Sequence, residues 1–455
     1  MGGLVGRRAV VVGAGIGGLS TAGALAPYFE QVEILERDLL ADSAASRCGT
    51  PQDRHPHGLL AGGLRALGEI FPGFADDLAR AGAVPVNVAH DVRYERADVG
   101  ALPQRNFGWS LLCASRPLIE FVLRRRVEEI GNIVVRPACR VSAIVPRLSG
   151  SGVHDIRFDQ SARSETRKAD LVVDASGRGA LTLALLDELG WKRPAETRVG
   201  VDISYSTALV PIPASAPTDW KIVLTQPDPP FRPLHAVLLP TEGDRWIVAI
   251  ADHGVGVWPA TWDDFLETSR ALITSTVYNA LRDATPPYEI RHYRFAASCW
   301  RHFERLPRLP RGVLPVADAL CRFDPIHGQG MSSAAQQARL LQSALFHAAA
   351  APDPIAAVQT RFMAHVASVV ETPWTLSASA DLAFPETRGE RPENFAEARA
   401  LEAKLFRAAV ADPVVHRALM EVAQLLKPQD RLREPDLLER IETTAAEARS
   451  WRLSA

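Results

Sequence analysis

The apolar positions open the chain as a strand and a helix in close succession. An unbroken apolar run at 9–12 meets a cluster of glycines, a second apolar stretch continues to Ala26, and a β-branched run from Gln31 to Leu35 ends in an acid, Glu36. Short apolar runs of this kind, separated by one helix, predict buried parallel strands with a crossover. Helical spacing is predicted over Gly58–Phe71, closed by Pro72-Gly73, and from Ser115 and Pro117 through Ile130, with a strand over 132–135 directly after. Cys139–Pro146 and Val153–Phe158 read as hairpin strands around Ser149-Gly150-Ser151-Gly152, and Ala169–Asp174 as a short buried strand. Between Arg198 and Arg301 the pattern alternates, with strands over 199–210, 221–224, 234–239, 246–251 and 288–297 and two short helices near 261–282. That texture predicts a largely antiparallel sheet. A long Ala-rich helix follows Met331, and beyond Pro352 the chain reads as helix punctuated by Pro385, Pro392, Pro413, Pro428 and Pro435. The expected fold is α/β with an α+β insert. A discontinuous Rossmann-like lobe spans 1–197 and 302–350, an antiparallel lobe spans 198–301, and a helical region spans 351–455.

The glycines carry the first chemical signal. Gly13-Ala-Gly15-Ile-Gly17-Gly18 leaves the strand and opens the helix, and Glu36 stands 21 residues after Gly15. This is the dinucleotide-binding arrangement in its full strand–turn–helix–strand context. Gly13 permits the tight turn, Gly15 lets the backbone approach a pyrophosphate, Gly18 lets helix and strand pack closely, and Glu36 can accept from a ribose hydroxyl. Arg37 beside it joins the candidate contacts. The stretch from Met1 to Ala26 also imitates an export signal, with paired arginines and an Ala-Leu-Ala end. A signal explains neither the glycine spacing nor the second strand.

Composition narrows the class. A chain of 455 residues exceeds one compact core and predicts two or three lobes. A net charge of −2 leaves no basic excess to attract nucleic acid or an anionic membrane. Of 51 basic residues only Lys168, Lys192, Lys221, Lys404 and Lys427 are lysine, so abundant arginine is no phosphate-site signal by itself. Cys48, Cys113, Cys139, Cys299 and Cys321 show no Cys-x-x-Cys spacing, which predicts reduced thiols, no structural zinc and a cytoplasmic setting. No segment has the ~18 uninterrupted apolar residues of a membrane span.

Five blocks in order resemble class A flavoprotein monooxygenases, the para-hydroxybenzoate-hydroxylase-like enzymes, and within them the bacterial polyketide epoxidases and natural-product hydroxylases. They are the Gly13 turn, Thr50-Pro-Gln-Asp-Arg54-His55-Pro-His57-Gly58-Leu-Leu60, Ser115-Arg116-Pro-Leu-Ile-Glu120, Asp174-Ala-Ser-Gly-Arg-Gly179, and Ala317-Asp318 through Phe323-Asp324-Pro325-Ile-His327-Gly328-Gln329-Gly330-Met331. The resemblance implies a glutathione-reductase-type fold that binds FAD. It implies reduction by NAD(P)H, directly or through a partner flavin reductase, and transfer of one oxygen atom from O2, by way of a flavin hydroperoxide, to a small apolar substrate.

Asp318, at a strand end, is expected to accept from the ribitol, and Arg116 to reach the phosphate or ribitol side. Backbone N–H groups at Gly328, Gly330 and Met331 are expected at the flavin's pyrimidine edge, with Phe323 and Pro325 facing its ring. Asp174 belongs to the motif that touches FAD and nicotinamide in the family. Its Asp-Ala-Ser-Gly replaces the usual Ala-Asp-Gly and puts nicotinamide handling in doubt, while Ala317 replaces the usual glycine. His55, His57 and Pro325 are candidates for a catalytic role, against a structural reading for both histidines. Trp220, Trp246, Trp258, Trp262 and Trp300 read as core before pocket. The histidines show no metal-ligand spacing. Three relatives of the fold stay open: a halogenase, whose Trp-rich motif and essential lysine find only Gly108-Trp109-Ser110 and no lysine before Lys168; a geranylgeranyl-type double-bond reductase; and a flavin-free chaperone.

Overall fold

The structure is a computed structural model that describes residues 3–146, 153–161, 163–254, 256 and 258–454. The expected turn at 149–152 lies outside them.

The first apolar run is the central strand of a parallel sheet. Five strands lie in the order Val313–Pro315, Leu171–Asp174, Gly6–Val12, Phe29–Leu35 and Ile133–Arg136, all parallel. Ala9, Val10 and Val11 are fully buried, because helices and a hairpin cover both faces and leave no position for a polar side chain. The run that imitates an export signal is therefore core.

Register brings distant motifs to one edge. Val12 pairs with Asp174, and Asp174 with Pro315. The turns that follow these three strands, at Gly13, Ala175 and Ala317, consequently emerge side by side at the carboxyl end of the sheet, where α/β folds present groups to ligand.

The alternating region forms a sheet of seven strands, Ile290–Phe295, Ile203–Pro211, Arg245–Asp252, Leu234–Thr241, Ile222–Thr225, Val92–Arg96 and Gly100–Ala101 in spatial order. Two of these strands come from the 1–197 stretch, so a division at residue 198 does not follow the sheets. Strand periodicity sorts the faces. Ala236 and Leu238 pack with Phe265 and Val277 of the two short helices, whereas Val237 and Leu239 share a cluster with Leu405, Phe406 and Leu419 of the C-terminal helices. Those helices span Pro354–Asp381, Phe395–Ala411, Pro413–Ala423 and Pro435–Ser454. Trp220 stacks on Trp246 inside the sheet's core and Trp258 is exposed, so tryptophans here are mainly packing. All five cysteines are free thiols. Among the described residues, no helix is long and apolar enough to cross a membrane.

Ala317 occupies a left-handed conformation with φ +53°, and a β-carbon built on Gly17 would lie 2.6 Å from its methyl group. Ala317→Gly should therefore relieve backbone strain and raise stability by about 0.5–1 kcal/mol in urea unfolding. A loss of stability would show that methyl packing outweighs strain.

Candidate active site

The Gly13–Gly18 turn is shaped by backbone contact. Gly13 has φ +102°, and a β-carbon there would sit 2.8 Å from the Ala175 carbonyl oxygen; one on Gly18 would sit 1.9 Å from the Gly13 carbonyl oxygen. No other residue type fits either place. The helix Ile16–Leu25 begins with Gly15 as an N-cap that offers no side-chain acceptor, so its first N–H groups face outward as an anion site. A β-carbon on Gly15 would meet only guanidinium and carboxylate tips, Arg116 at 3.7 Å, Arg47 at 3.8 Å and Glu120 at 4.0 Å.

Glu36, at the end of the second strand, is buried. One carboxylate oxygen accepts from the Ala14 N–H at 2.7 Å and the other from the Asp38 N–H at 2.9 Å. It is not a solvated strand end; it ties the glycine turn to the neighbouring strand. Arg37 stands exposed, 3.9 Å from Asp38.

Arg47 carried no motif and is the residue that sequence reasoning missed. Its guanidinium bridges Glu120 at 2.7 Å, Asp38 at 2.9 Å and Glu36 at 3.3 Å. Burial works against its charge, but these carboxylates outweigh it and keep Arg47 cationic. Arg116, in the first turn of the helix Arg116–Glu128, reaches Glu120 at 3.5 Å, and its Nε is buried with no partner among the described residues.

Asp174 has another role. Its two oxygens accept from the Ser176 N–H and hydroxyl at 3.1 and 2.5 Å and from the Thr182 N–H and hydroxyl at 3.2 and 2.8 Å. Fully engaged, it holds the turn that leads into the helix Ala180–Glu188.

Asp318 accepts no side-chain hydrogen bond among the described residues. Burial raises its pKa against the opposing pull of Arg116, Arg322 and Arg301. Phe323, expected beside a ring, is buried in the main core instead, since a phenyl group gains most there. Met331 lies in the same core. Pro325–His327 forms a tight turn capped by the Asp324 carboxylate, Gly328 follows with φ +64°, and the helix Gly330–Ala348 starts without a side-chain cap. A β-carbon on Gly328 or Gly330 would meet nothing within 4 Å.

That open turn borders a cavity of about 670 Å³ between the seven-stranded sheet and the C-terminal helices. Its walls include Tyr94, Leu239, Trp374, Leu405 and Phe406, with His55, His57, Pro325 and His327 at one end. The size suits a drug-sized apolar molecule. His55 bonds Thr207 at 2.7 Å, and burial, then His292, lowers its pKa to about 4. Burial, then Arg116, lowers His57 to about 3, and its Nδ1 bonds the His55 carbonyl at 2.7 Å. Both histidines are neutral at physiological pH and fix the loop. Although no spacing announced it, Asp324, His327 and Asp381 also meet here, with ligand-type atoms within 4.8 Å of one another.

The layered arrangement is that of flavin-dependent monooxygenases and halogenases. Flavin-dependent brominase Bmp2 superposes with a TM-score of 0.67 at 12% identity, over 99% of this chain and 100% of that one. p-Nitrophenol 4-monooxygenase PnpA from Pseudomonas putida DLL-E4 gives 0.63 at 17% identity, over 94% and 100%. PqsL, a probable FAD-dependent monooxygenase from Pseudomonas aeruginosa, gives 0.60 at 15% identity, over 83% and 97%. At the level of sequence the chain belongs to the family of Protein Rv3254 of Mycobacterium tuberculosis (strain ATCC 25618 / H37Rv), to which it is 32% identical over 426 residues, 90% of this chain and 87% of that protein. No family model matches the chain.

Because Asp174 is fully buried and accepts four hydrogen bonds, Asp174→Ala should destabilise the protein by roughly 1–3 kcal/mol through donors left unpaired. An unchanged denaturation midpoint would refute this structural role.

Proposed function

We propose that this chain is an FAD-dependent monooxygenase that inserts one oxygen atom from O2 into a small apolar substrate by hydroxylation or epoxidation. One observation carries the reading: Pro325–Gln329 lines the cavity of about 670 Å³, and the helix that follows it, Gly330–Ala348, packs on the helix opened by the glycine turn, its Ala334 standing 3.7 Å from a β-carbon built on Gly17. The donor set fits the cofactor. Gly15 leaves backbone room for a pyrophosphate, the helix N-terminus and the Arg47 and Arg116 guanidiniums supply positive charge, and the Arg116 Nε, without a partner among the described residues, is a donor awaiting an acceptor. Glu36 and exposed Arg37 stand at the adenosine side. Asp318 is free to accept from a ribitol hydroxyl, and the space above Gly328 and Gly330 suits a flat ring.

When bound, FAD supplies the activation of dioxygen, with electrons from NAD(P)H delivered directly or through a partner reductase. The protein's own part is orientation and exclusion of water. Uncapped N–H groups of the helix at Gly330 favour negative charge at the turn. Tyr94, Leu239 and Phe406 give part of the cavity an apolar wall. A halogenase shares the fold, yet none of the five lysines lines the cavity, which favours oxygen transfer to carbon over a lysine-dependent reaction. A double-bond reductase would consume reductant without oxygen. A chaperone of this fold would purify colourless.

Paired variants test the placement. Gly15→Val should fold, since only side-chain tips at 3.7 Å or more stand near its β-carbon, but lose FAD. A β-carbon on Gly330 would meet nothing within 4 Å, so Gly330→Val should fold and keep FAD while disturbing the turn. Weaker stabilisation of negative charge, by about 1 kcal/mol, should lower the reduction potential by a few tens of millivolts and divert reductant oxidation into hydrogen peroxide. Spectroelectrochemistry and peroxide quantification read both effects. Unaltered potential and coupling in Gly330→Val would overturn the position assigned to this turn.

A further inference from the structure

His416, on the helix Pro413–Ala423, lines the cavity and is almost fully buried, and no motif marked it. Its helix neighbours Val415, Ala418 and Leu419 belong to an apolar cluster that also holds Leu102 and Leu405, so the imidazole is a polar group in an apolar wall. Arg105 reaches it from the segment before the strand Ser110–Cys113. One guanidinium nitrogen donates to the Ala409 carbonyl at 2.6 Å and to His416 Nδ1 at 3.0 Å, and another donates to the Val410 carbonyl at 2.7 Å. Those carbonyls lie in the last turn of the helix Phe395–Ala411, where they have no partner inside the helix and attract a cation. Arg105 is therefore held in place by groups other than His416.

A guanidinium has donors and no acceptor, so Nδ1 of His416 is the accepting nitrogen and carries no proton. Burial, then the Arg105 charge, lowers the pKa of His416 to about 4, which keeps the ring neutral at pH 7. A neutral imidazole with a bare Nδ1 bears its proton on Nε2. Phe107 meets the ring edge-on with centroids 5.1 Å apart and helps to fix its plane. Nε2 bonds no group among the described residues, and it is not one of the polar atoms sealed inside protein without a partner, so it opens on the cavity that the ring lines. A donor so placed is satisfied only when an occupant of the cavity brings an acceptor.

Resting on the monooxygenase reading, which makes this cavity the substrate site, we propose that His416 determines specificity: its Nε2–H, held in that tautomer by Arg105, donates a hydrogen bond to a carbonyl oxygen of an uncharged, apolar substrate. A carboxylate would meet an imidazole that cannot neutralise it in a cluster of leucines that cannot solvate it. A hydrocarbon would bury the N–H without an acceptor. No covalent bond changes at His416; the hydrogen bond selects the molecule and orients it.

The test uses 9-fluorenone, with fluorene as the control of the same ring skeleton that has no carbonyl. Bound to the purified protein, the ketone should show its carbonyl stretch at lower wavenumber than in cyclohexane, and in His416→Phe the stretch should return to the cyclohexane value. His416→Phe should bind fluorenone about threefold to tenfold more weakly and fluorene within about twofold of wild type. Nitrogen NMR of histidine-labelled protein should place the proton of the signal that His416→Phe removes on Nε2. A proton on Nδ1, an unshifted carbonyl in the wild type, or no binding of fluorenone overturns the proposal. So does an equal loss of both probes in His416→Phe, the result of a merely structural role. An unshifted carbonyl in the wild type overturns it even if that variant fails to fold. None of these measurements needs reductant or oxygen. A protein that shifts the carbonyl through His416 yet never takes up FAD would sink the monooxygenase reading alone, and a flavin-loaded protein with an unshifted carbonyl would sink only the role of His416.

Discussion

The structure depends on backbone approaching backbone at one edge of the parallel sheet. Gly18 must pass the Gly13 carbonyl and Gly13 the Ala175 carbonyl at distances that exclude any β-carbon. Those contacts lock the first helix against the end of the strand Gly6–Val12, and that end against the residue after the strand Leu171–Asp174, and leave the helix N-terminus open. Glu36 fixes the same turn from the side by accepting from the Ala14 N–H. The arginine pair stands beside Gly15 and Asp318 follows Ala317 at that edge, and the helix after the open turn packs on the first helix.

Much of this was legible in the sequence because it is local. Strand, glycine turn and helix follow one another within a few residues, so spacing alone specified the parallel unit, and the alternation over 221–224, 234–239 and 246–251 falls within a residue or two of the strands Ile222–Thr225, Leu234–Thr241 and Arg245–Asp252. The long Ala-rich helix and the helical C-terminal region followed from the same periodicity. Val92–Arg96 did not, since its pairing with Ile222–Thr225 joins segments far apart in the chain. Its alternation is too short to show which sheet receives it.

Site residues divide along the same line. The glycines shape their turn by backbone contact, Asp318 follows the strand Val313–Pro315 and Arg116 opens its helix, whereas Phe323 packs in the core and Asp174 holds its own turn. Arg47 escaped notice in a chain so rich in arginine, and only its position between Glu36, Asp38 and Glu120 sets it apart. Asp381 lies 54 residues from His327, and no spacing rule connects them. One cue was available: an acid near the end of a long helix, Pro354–Asp381, otherwise rich in small and apolar residues, costs stability when buried and so needs a reason.

The central claim is that one cofactor spans the glycine turn and the turn at Pro325–Gly330. A crystal structure of the purified protein with FAD tests it most directly. The account predicts the pyrophosphate at Gly15 within hydrogen-bond reach of Arg47 or Arg116, and the ring edge against the backbone of Gly328 and Gly330, facing the cavity. A ring lodged away from that turn, or a pyrophosphate away from Gly15, would contradict it.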